Sequence, residues 1–156
     1  MSNGVEVLDI EGTDVLFIRI EANLSDLSWQ VNEIHALIRE HIEGEGLEAN
    51  GRIYAAYHRL EPGRCDVEVG ITTSQPVEGG NGISSGRIEA GKSLQAKYIG
   101  AYIPVIMTYN YINGWMDENG YVASGPRYEF YDGEYFDPTD SRMTTIIRIP
   151  VEKAGK

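Results

Sequence analysis

Two hydrophobic periods alternate along this chain, and their order sketches a fold. Residues 5–10 and 14–21 keep the two-residue rhythm of strands around a turn at Glu11-Gly12-Thr13. Leu16, Ile18 and Ile20 share one face of the second strand, and Phe17, Arg19 and Glu21 share the other. The period then lengthens. Leu27, Val31, Ile34, Ile38 and Ile42 recur at three and four residues, the stripe of an amphipathic helix that runs to about Glu43. Ser25 or Asp26 can cap its start, and Gly44 and Gly46 end it. Period two returns over 52–60 and 66–72, with Val67, Val69 and Ile71 inward and Glu61-Pro62-Gly63-Arg64 as the turn of a hairpin. Residues 75–85, rich in Gly, Ser and Asn, read as a surface connection. Arg87 to Lys92 leads into a strand at 93–99, and a second helix spans about Ala101 to Glu118, with Pro104 tolerated in its first turn and Asn119-Gly120 at its end. Gly125-Pro126 then closes a loop ahead of a strand, Arg127-Tyr128-Glu129-Phe130-Tyr131, and after the loop 132–141 a last strand runs over 143–151.

The order is strand, helix, strand, strand, given twice. Residues 46–57 align without gaps on 120–131 at an offset of 74, where Gly46, Gly51, Tyr54 and Tyr57 fall on Gly120, Gly125, Tyr128 and Tyr131. The expected fold is α+β. Duplicated strand-helix-strand-strand units, about 5–73 and 86–151, form one mostly antiparallel sheet with both helices on one face. A single domain over 1–156 suits this length. A pocket is expected between the helices, floored by the sheet.

The strand after Pro126 carries the first candidate chemistry. Alternation puts Arg127, Glu129 and Tyr131 on one face and Tyr128 and Phe130 on the other. Glu is depleted in strands, where it ordinarily faces solvent. The offset places Ala55 opposite Glu129 in the repeat, so a carboxylate is not needed to make the strand, and this argues for a purpose at Glu129.

Charge narrows the function classes. The net charge is −11 and the pI about 4.6. A field of this sign repels phosphate backbones, so direct nucleic-acid binding is not expected, and it attracts cations. Cys65 is the lone cysteine, which excludes an intrachain disulfide and a cysteine-cluster metal site, and it reads as a small half-buried residue. His35, His41 and His58 lack a metal-ligand spacing, so no metal is expected, nor any other cofactor. No apolar run reaches membrane length and the start carries no signal-peptide pattern; a cytoplasmic, soluble protein without membrane contact is expected. Phosphate-binding glycine loops and the Gly-x-Ser-x-Gly elbow are absent.

What the chain does have is ten tyrosines, two tryptophans and three phenylalanines. Tyr98, Tyr102, Tyr109, Tyr111 and Trp115 gather around the second strand and helix. Aromatics at helical spacing are ordinarily core, yet a core of many tyrosines must satisfy many hydroxyls. A groove lined by tyrosines above one carboxylate suits flat lipophilic cations. Each ring offers about 0.5–2 kcal/mol of cation–π attraction, and a partly buried carboxylate about 4 kcal/mol of gross Coulomb energy before its desolvation cost.

From Arg87 to Val151 the chain resembles the GyrI-like small-molecule-binding domain, also found as the effector-binding half of multidrug-sensing transcription regulators. The resemblance rests on Gly100-Ala101-Tyr102, on Trp115-Met116-Asp117-Glu118-Asn119-Gly120-Tyr121, and on Gly125-Pro126. It continues through Glu129-Phe130-Tyr131, Asp137-Pro138 and Thr145-Ile146-Ile147-Arg148-Ile149-Pro150-Val151. The first half matches mainly in its pattern of elements. The resemblance implies a pseudo-symmetric fold and an acidic residue on the pocket floor, Glu129, that pairs with cationic drugs and dyes; Tyr131, Tyr57, Tyr98, Tyr109, Tyr111 and Trp115 are the candidate lining. The sequence opens directly on the first strand, so a stand-alone member is expected, with a drug-sequestering or multidrug-resistance role. Two alternatives stay open: a hydrolase of cyclopropane-bearing alkylating toxins using carboxylate and tyrosine acid–base chemistry, and an interaction with DNA gyrase or a regulator protein. A second pocket carboxylate would support the hydrolase; Glu33 and Asp117 lie on the helices, without a place in the groove fixed by sequence. A Glu129 held in a dry groove is expected to have a raised pKa that a bound cation lowers.

Overall fold

A computed structural model describes residues 4–61, 63–100, 103–132, 136–137 and 139–155; Pro62, Ala101, Tyr102 and Pro138, named above, lie outside the described residues. The strands are β1 (Glu6–Ile10), β2 (Thr13–Asn23), β3 (Ile53–Glu61), β4 (Arg64–Thr73), β5 (Ser84–Ile88), β6 (Gly91–Ile99), β7 (Tyr121–Ala123), β8 (Arg127–Tyr131) and β9 (Thr144–Lys153), and the helices are α1 (Leu27–Gly44) and α2 (Ile103–Asn119). The stripe of α1 is buried as its spacing requires, with Val31, Ile38 and Ile42 almost wholly enclosed. Burying such a side chain stabilises the fold by about 1.5–3 kcal/mol. Gly46 and Gly120, equivalent at the offset of 74, both take left-handed φ, +81° and +77°, just past the two helices.

Two expectations need correction. Asp26 stands at the N-terminus of α1 but does not cap it. A single 3-10 turn, Leu24–Asp26, runs straight into the helix, so Asp26 has helical dihedrals (φ −99°, ψ −4°) and makes no side-chain capping bond. The connection 75–85 also ends in structure, because Ser84 starts β5. This strand is held by its pairing with β2, from Thr13↔Ile88 to Phe17↔Ser84, and not by any propensity of Ser-Ser-Gly. Gly86 fits closely there: a Cβ would lie 3.0 Å from the Phe17 ring, which would have to give by a few tenths of an ångström.

All pairings are antiparallel, in the order β1-β6-β9-β8-β3-β4-β2-β5, with β7 attached to β9. The order is mirrored about the central pair β8–β3. Ala55 and Glu129, equivalent at the offset of 74, are direct partners across that pair, so a two-fold axis relating the halves runs between them. The strands preceding each unit are exchanged: β1 pairs with β6 of the second half, and β5 with β2 of the first. Only Glu11 and Gly12 join β1, at one end of the order, to β2, near the other. That link spans about 10 Å, so the sheet curls into a half-barrel. Inside the curl, Ile88 of β5 packs with Tyr54, Phe130 and Ile146. On the outer face, α1 covers Ile53, Ala55, Val67, Val69 and Ile71, and α2 covers Leu94, Ala96, Ile147 and Ile149.

Candidate functional site

The site lies where the two halves meet on the helix-covered face. Alternation along β8 turns Glu129 and Tyr131 toward the helices, and the register sets Ala55 on one side of Glu129 and Ile147 on the other. Glu129 is 1% exposed. Two tyrosines satisfy its carboxylate: the Tyr109 hydroxyl, from α2, donates to Oε2 at 2.5 Å, and the Tyr131 hydroxyl donates to Oε1 at 2.7 Å. A carboxylate so enclosed costs several kcal/mol to desolvate, and hydrogen bonds to a charged acceptor offset this at about 1.5–3 kcal/mol each. Tyr57, buried on β3, faces Arg127 across the strand pair. The Arg127 guanidinium lies 4.7 Å from the centre of the Tyr109 ring. Burial pushes the Tyr109 pKa well above its usual value, helped by the Glu129 charge and hydrogen bond, with Arg127 pulling weakly the other way. Tyr109 therefore stays a donor throughout the neutral range.

The helix side is braced through Phe136. Asn32 of α1 donates from Nδ2 to the Phe136 carbonyl at 2.8 Å and accepts the Phe136 N–H on Oδ1 at 2.8 Å. This sets the Phe136 ring against Tyr131, with centroids 4.5 Å apart. Thr145, opposite both Tyr131 and Tyr98, is fully buried, and among the described residues its Oγ1 has no hydrogen-bond partner.

The sequence candidates divide in space. Glu129, Tyr131, Tyr57 and Tyr109 come together. Tyr98 stands two strands from Tyr131 in the same row, half-buried against the core under α2. Trp115 is near the end of α2, stacked on Tyr121 at 6.1 Å and 6° between planes, with the Lys153 ammonium 4.6 Å from the Tyr121 ring. Tyr111 is 51% exposed. Glu33 on α1 and Asp117 on α2 are both exposed. Cys65 is buried, its thiol 3.7 Å from the Ala22 carbonyl. Among the described residues no group of three or more His, Cys, Asp or Glu is placed to hold a metal, and no helix is long and apolar enough to cross a membrane.

Sequence reasoning passed over His35. At the offset of 74 it is the equivalent of Tyr109, and three buried positions of the helices correspond: His35 with Tyr109, Ile38 with Ile112, Ile42 with Met116. Extending the alignment from the strands into the helices would have found it. The Arg39 guanidinium, 3.2 Å from His35 Nε2, has only donors, so Nε2 is the acceptor; Arg39 also donates to the Ala49 carbonyl at 3.1 Å.

Comparison with known proteins agrees with this architecture. A family model described as the GyrI-like small molecule binding domain matches residues 4–152. No curated protein matches the chain. Among solved structures, the EcmrR chain in its DNA complex is similar at a TM-score of 0.83 and 22% identity, over 96% of this chain and 57% of that one. This chain thus spans little more than half of EcmrR. The crystal structure of the EcmrR C-terminal domain matches at 0.75 and 21% identity, over 99% of this chain and 100% of that one. SAV2435 bound to tetraphenylphosphonium matches at 0.66 and 15% identity, over 95% and 93%. At these identities the likeness speaks to the fold.

Proposed function

The chain belongs to the GyrI-like small-molecule-binding domain family, and from that premise we propose that it binds lipophilic, aromatic cations between α1 and α2, with Glu129 as the counter-charge. The observation that carries the proposal is the Glu129 carboxylate, almost wholly buried at the centre of the sheet and held by two tyrosine hydroxyls. Desolvating a carboxylate is costly, and a permanent cation set against it offsets that cost while Tyr57, Tyr109 and Tyr131 supply ring faces. Tyr98, two strands from Tyr131 in the same row, continues the aromatic lining toward the second half. A relative of the same fold is known bound to tetraphenylphosphonium, which supports the ligand class. Sequestration of such compounds, and with it drug resistance, is the corresponding role. The test is a fluorescence titration of the protein with a lipophilic cation beside a neutral isostere. Micromolar binding of the cation and much weaker binding of the isostere are expected; equal affinities would overturn the proposal.

A second reading rests on the 2.5 Å contact between Tyr109 and Glu129. A carboxylate hydrogen-bonded to a hydroxyl is the pair that acid–base hydrolysis uses. Incubation with a cyclopropane-bearing alkylating compound, followed by mass spectrometry, decides it: no product above the Glu129→Gln background removes this reading.

A further inference from the structure

The sheet has a cavity on the face turned away from the helices. Its volume is about 350 Å³, at the lower end for a small-molecule site. The floor is aromatic: Tyr128 and Phe130 lie in near-parallel stacking, 6.3 Å apart with 17° between planes. These residues alternate with Glu129, so the sheet itself separates this cavity from the carboxylate.

Three basic residues line it, Arg87, Lys92 and Arg148, against a molecular net charge of −11. Two are engaged. Arg87 donates to Asp14 at 3.0 Å and Lys92 to Asp9 at 3.4 Å. Arg148 differs. Its guanidinium carbon lies 5.2 Å from the centre of the Phe130 ring, and its Nε donates to the neutral Gln95 Oε1 at 2.8 Å. Among the described residues no carboxylate pairs with Arg148, and its two Nη groups, the prongs of the fork, make no hydrogen bond. Burial and the neighbouring Arg52 charge both work against its protonated form. A half-buried guanidinium in that position is stabilised by an anion, and a carboxylate matches its two parallel Nη–H directions.

We propose that this cavity is a second ligand site, taking a small aromatic monocarboxylate whose ring stacks on Tyr128 and Phe130 and whose carboxylate is held by Arg148. The ligand is limited to one or two fused rings by the volume. It is limited to one charge by Glu89, an exposed carboxylate in the wall that repels a second anionic group. The site is independent of the cation site in residues, face and charge preference.

The experiment is an amide-resolved NMR titration of the full chain with 2-naphthoate, beside the neutral 2-naphthamide, with the Arg148 Nε resonance followed in the same spectra. Naphthoate should shift Arg148 Nε and the amides of residues 87–93 and 124–130, and bind about tenfold more tightly than the amide, the worth of one charge-assisted bidentate contact at a half-exposed site. Arg148→Gln should bring naphthoate down to the affinity of naphthamide. Saturating tetraphenylphosphonium should leave naphthoate binding unchanged. Equal affinity for acid and amide would overturn the proposal, as would shifts centred on α2 and Tyr131, or displacement by the phosphonium. The wild-type shifts decide the matter alone if Arg148→Gln does not fold. Loss of cation binding, with naphthoate retained, would remove the proposed function and leave this site standing.

Discussion

Glu129 is a single residue whose environment bears on stability and, in the proposed function, on recognition. Replacing it with Gln keeps the shape and removes the charge. The expected cost for a permanent cation is about 2 kcal/mol, some thirtyfold in affinity, with little loss for a neutral ring of the same shape. The fold should survive, because a buried carboxylate stabilises poorly and its equivalent position is Ala55; a melting curve beside the two titrations checks this. Tyr109→Phe acts the other way. It removes the Tyr109 hydrogen bond to Oε2 and leaves the charge, so it should lower stability by about 1.5–3 kcal/mol in denaturant unfolding. The alkaline limb gives a pH test. Tyr109 and Tyr54 both have pKa values raised above the usual 10.0, each chiefly by burial and then by a neighbouring carboxylate, Glu129 for one and Glu68 for the other. The folded state therefore holds these protons more tightly than the unfolded chain. Their contribution is complete below pH 10 and lost as pH rises from there toward the folded values. The melting temperature should fall above pH 10, and less steeply in Tyr54→Phe/Tyr109→Phe; parallel slopes would show that the two hydroxyls are not the source. Alternation alone made Glu129 and Tyr131 legible as neighbours on one face. The pairing of Tyr109 with Glu129 was not legible, since it depends on how α2 is set over the sheet.

At the scale of elements, the sequence announced its helices and long strands through periodicity but not the exchange of β1 and β5. Strand partners are chosen by which edges the halves leave open, and no local pattern in Ser84-Ser85-Gly86 encodes that. The helix start shows the same limit. Asp26 has the right chemistry for a cap, but the 3-10 turn before it withholds the extended backbone that capping needs. Asp26→Ala should therefore cost less than about 0.5 kcal/mol, where a working cap costs about 1; a full loss in denaturant melts would mean the side chain caps in solution. The axis between Ala55 and Glu129 makes a stronger prediction. Directly opposed side chains share a face, with Cβ atoms about 4.5–5.5 Å apart, and Tyr57 and His35 stand to Ala55 as Tyr131 and Tyr109 stand to Glu129. Moving the carboxylate across, as Ala55→Glu/Glu129→Ala, should recover at least about tenfold of the cation affinity lost in Glu129→Ala alone. No recovery would mean that the two halves are equivalent in backbone only.

For the whole molecule, the net charge of −11 and the buried Glu129 carboxylate would make separable contributions to the proposed cation binding. The diffuse surface field raises the local concentration of any cation and speeds its arrival. It is screened within about 8–10 Å at ordinary salt. Glu129, 1% exposed, is shielded from mobile ions by the protein above it. If the proposed site holds the ligand, a tenfold rise in ionic strength should slow association clearly yet weaken equilibrium affinity for a lipophilic cation by only about twofold. Glu129→Gln should lose the affinity and keep the salt dependence of the on-rate. A matched anion tests the same partition. It should fail to displace the cation at any ionic strength, because screening the surface leaves the buried carboxylate in place. Stopped-flow titrations of wild type and Glu129→Gln at low and high salt, with the matched anion as competitor, distinguish the contributions. An affinity that collapses with salt in both proteins would assign recognition to the acidic surface and not to the groove.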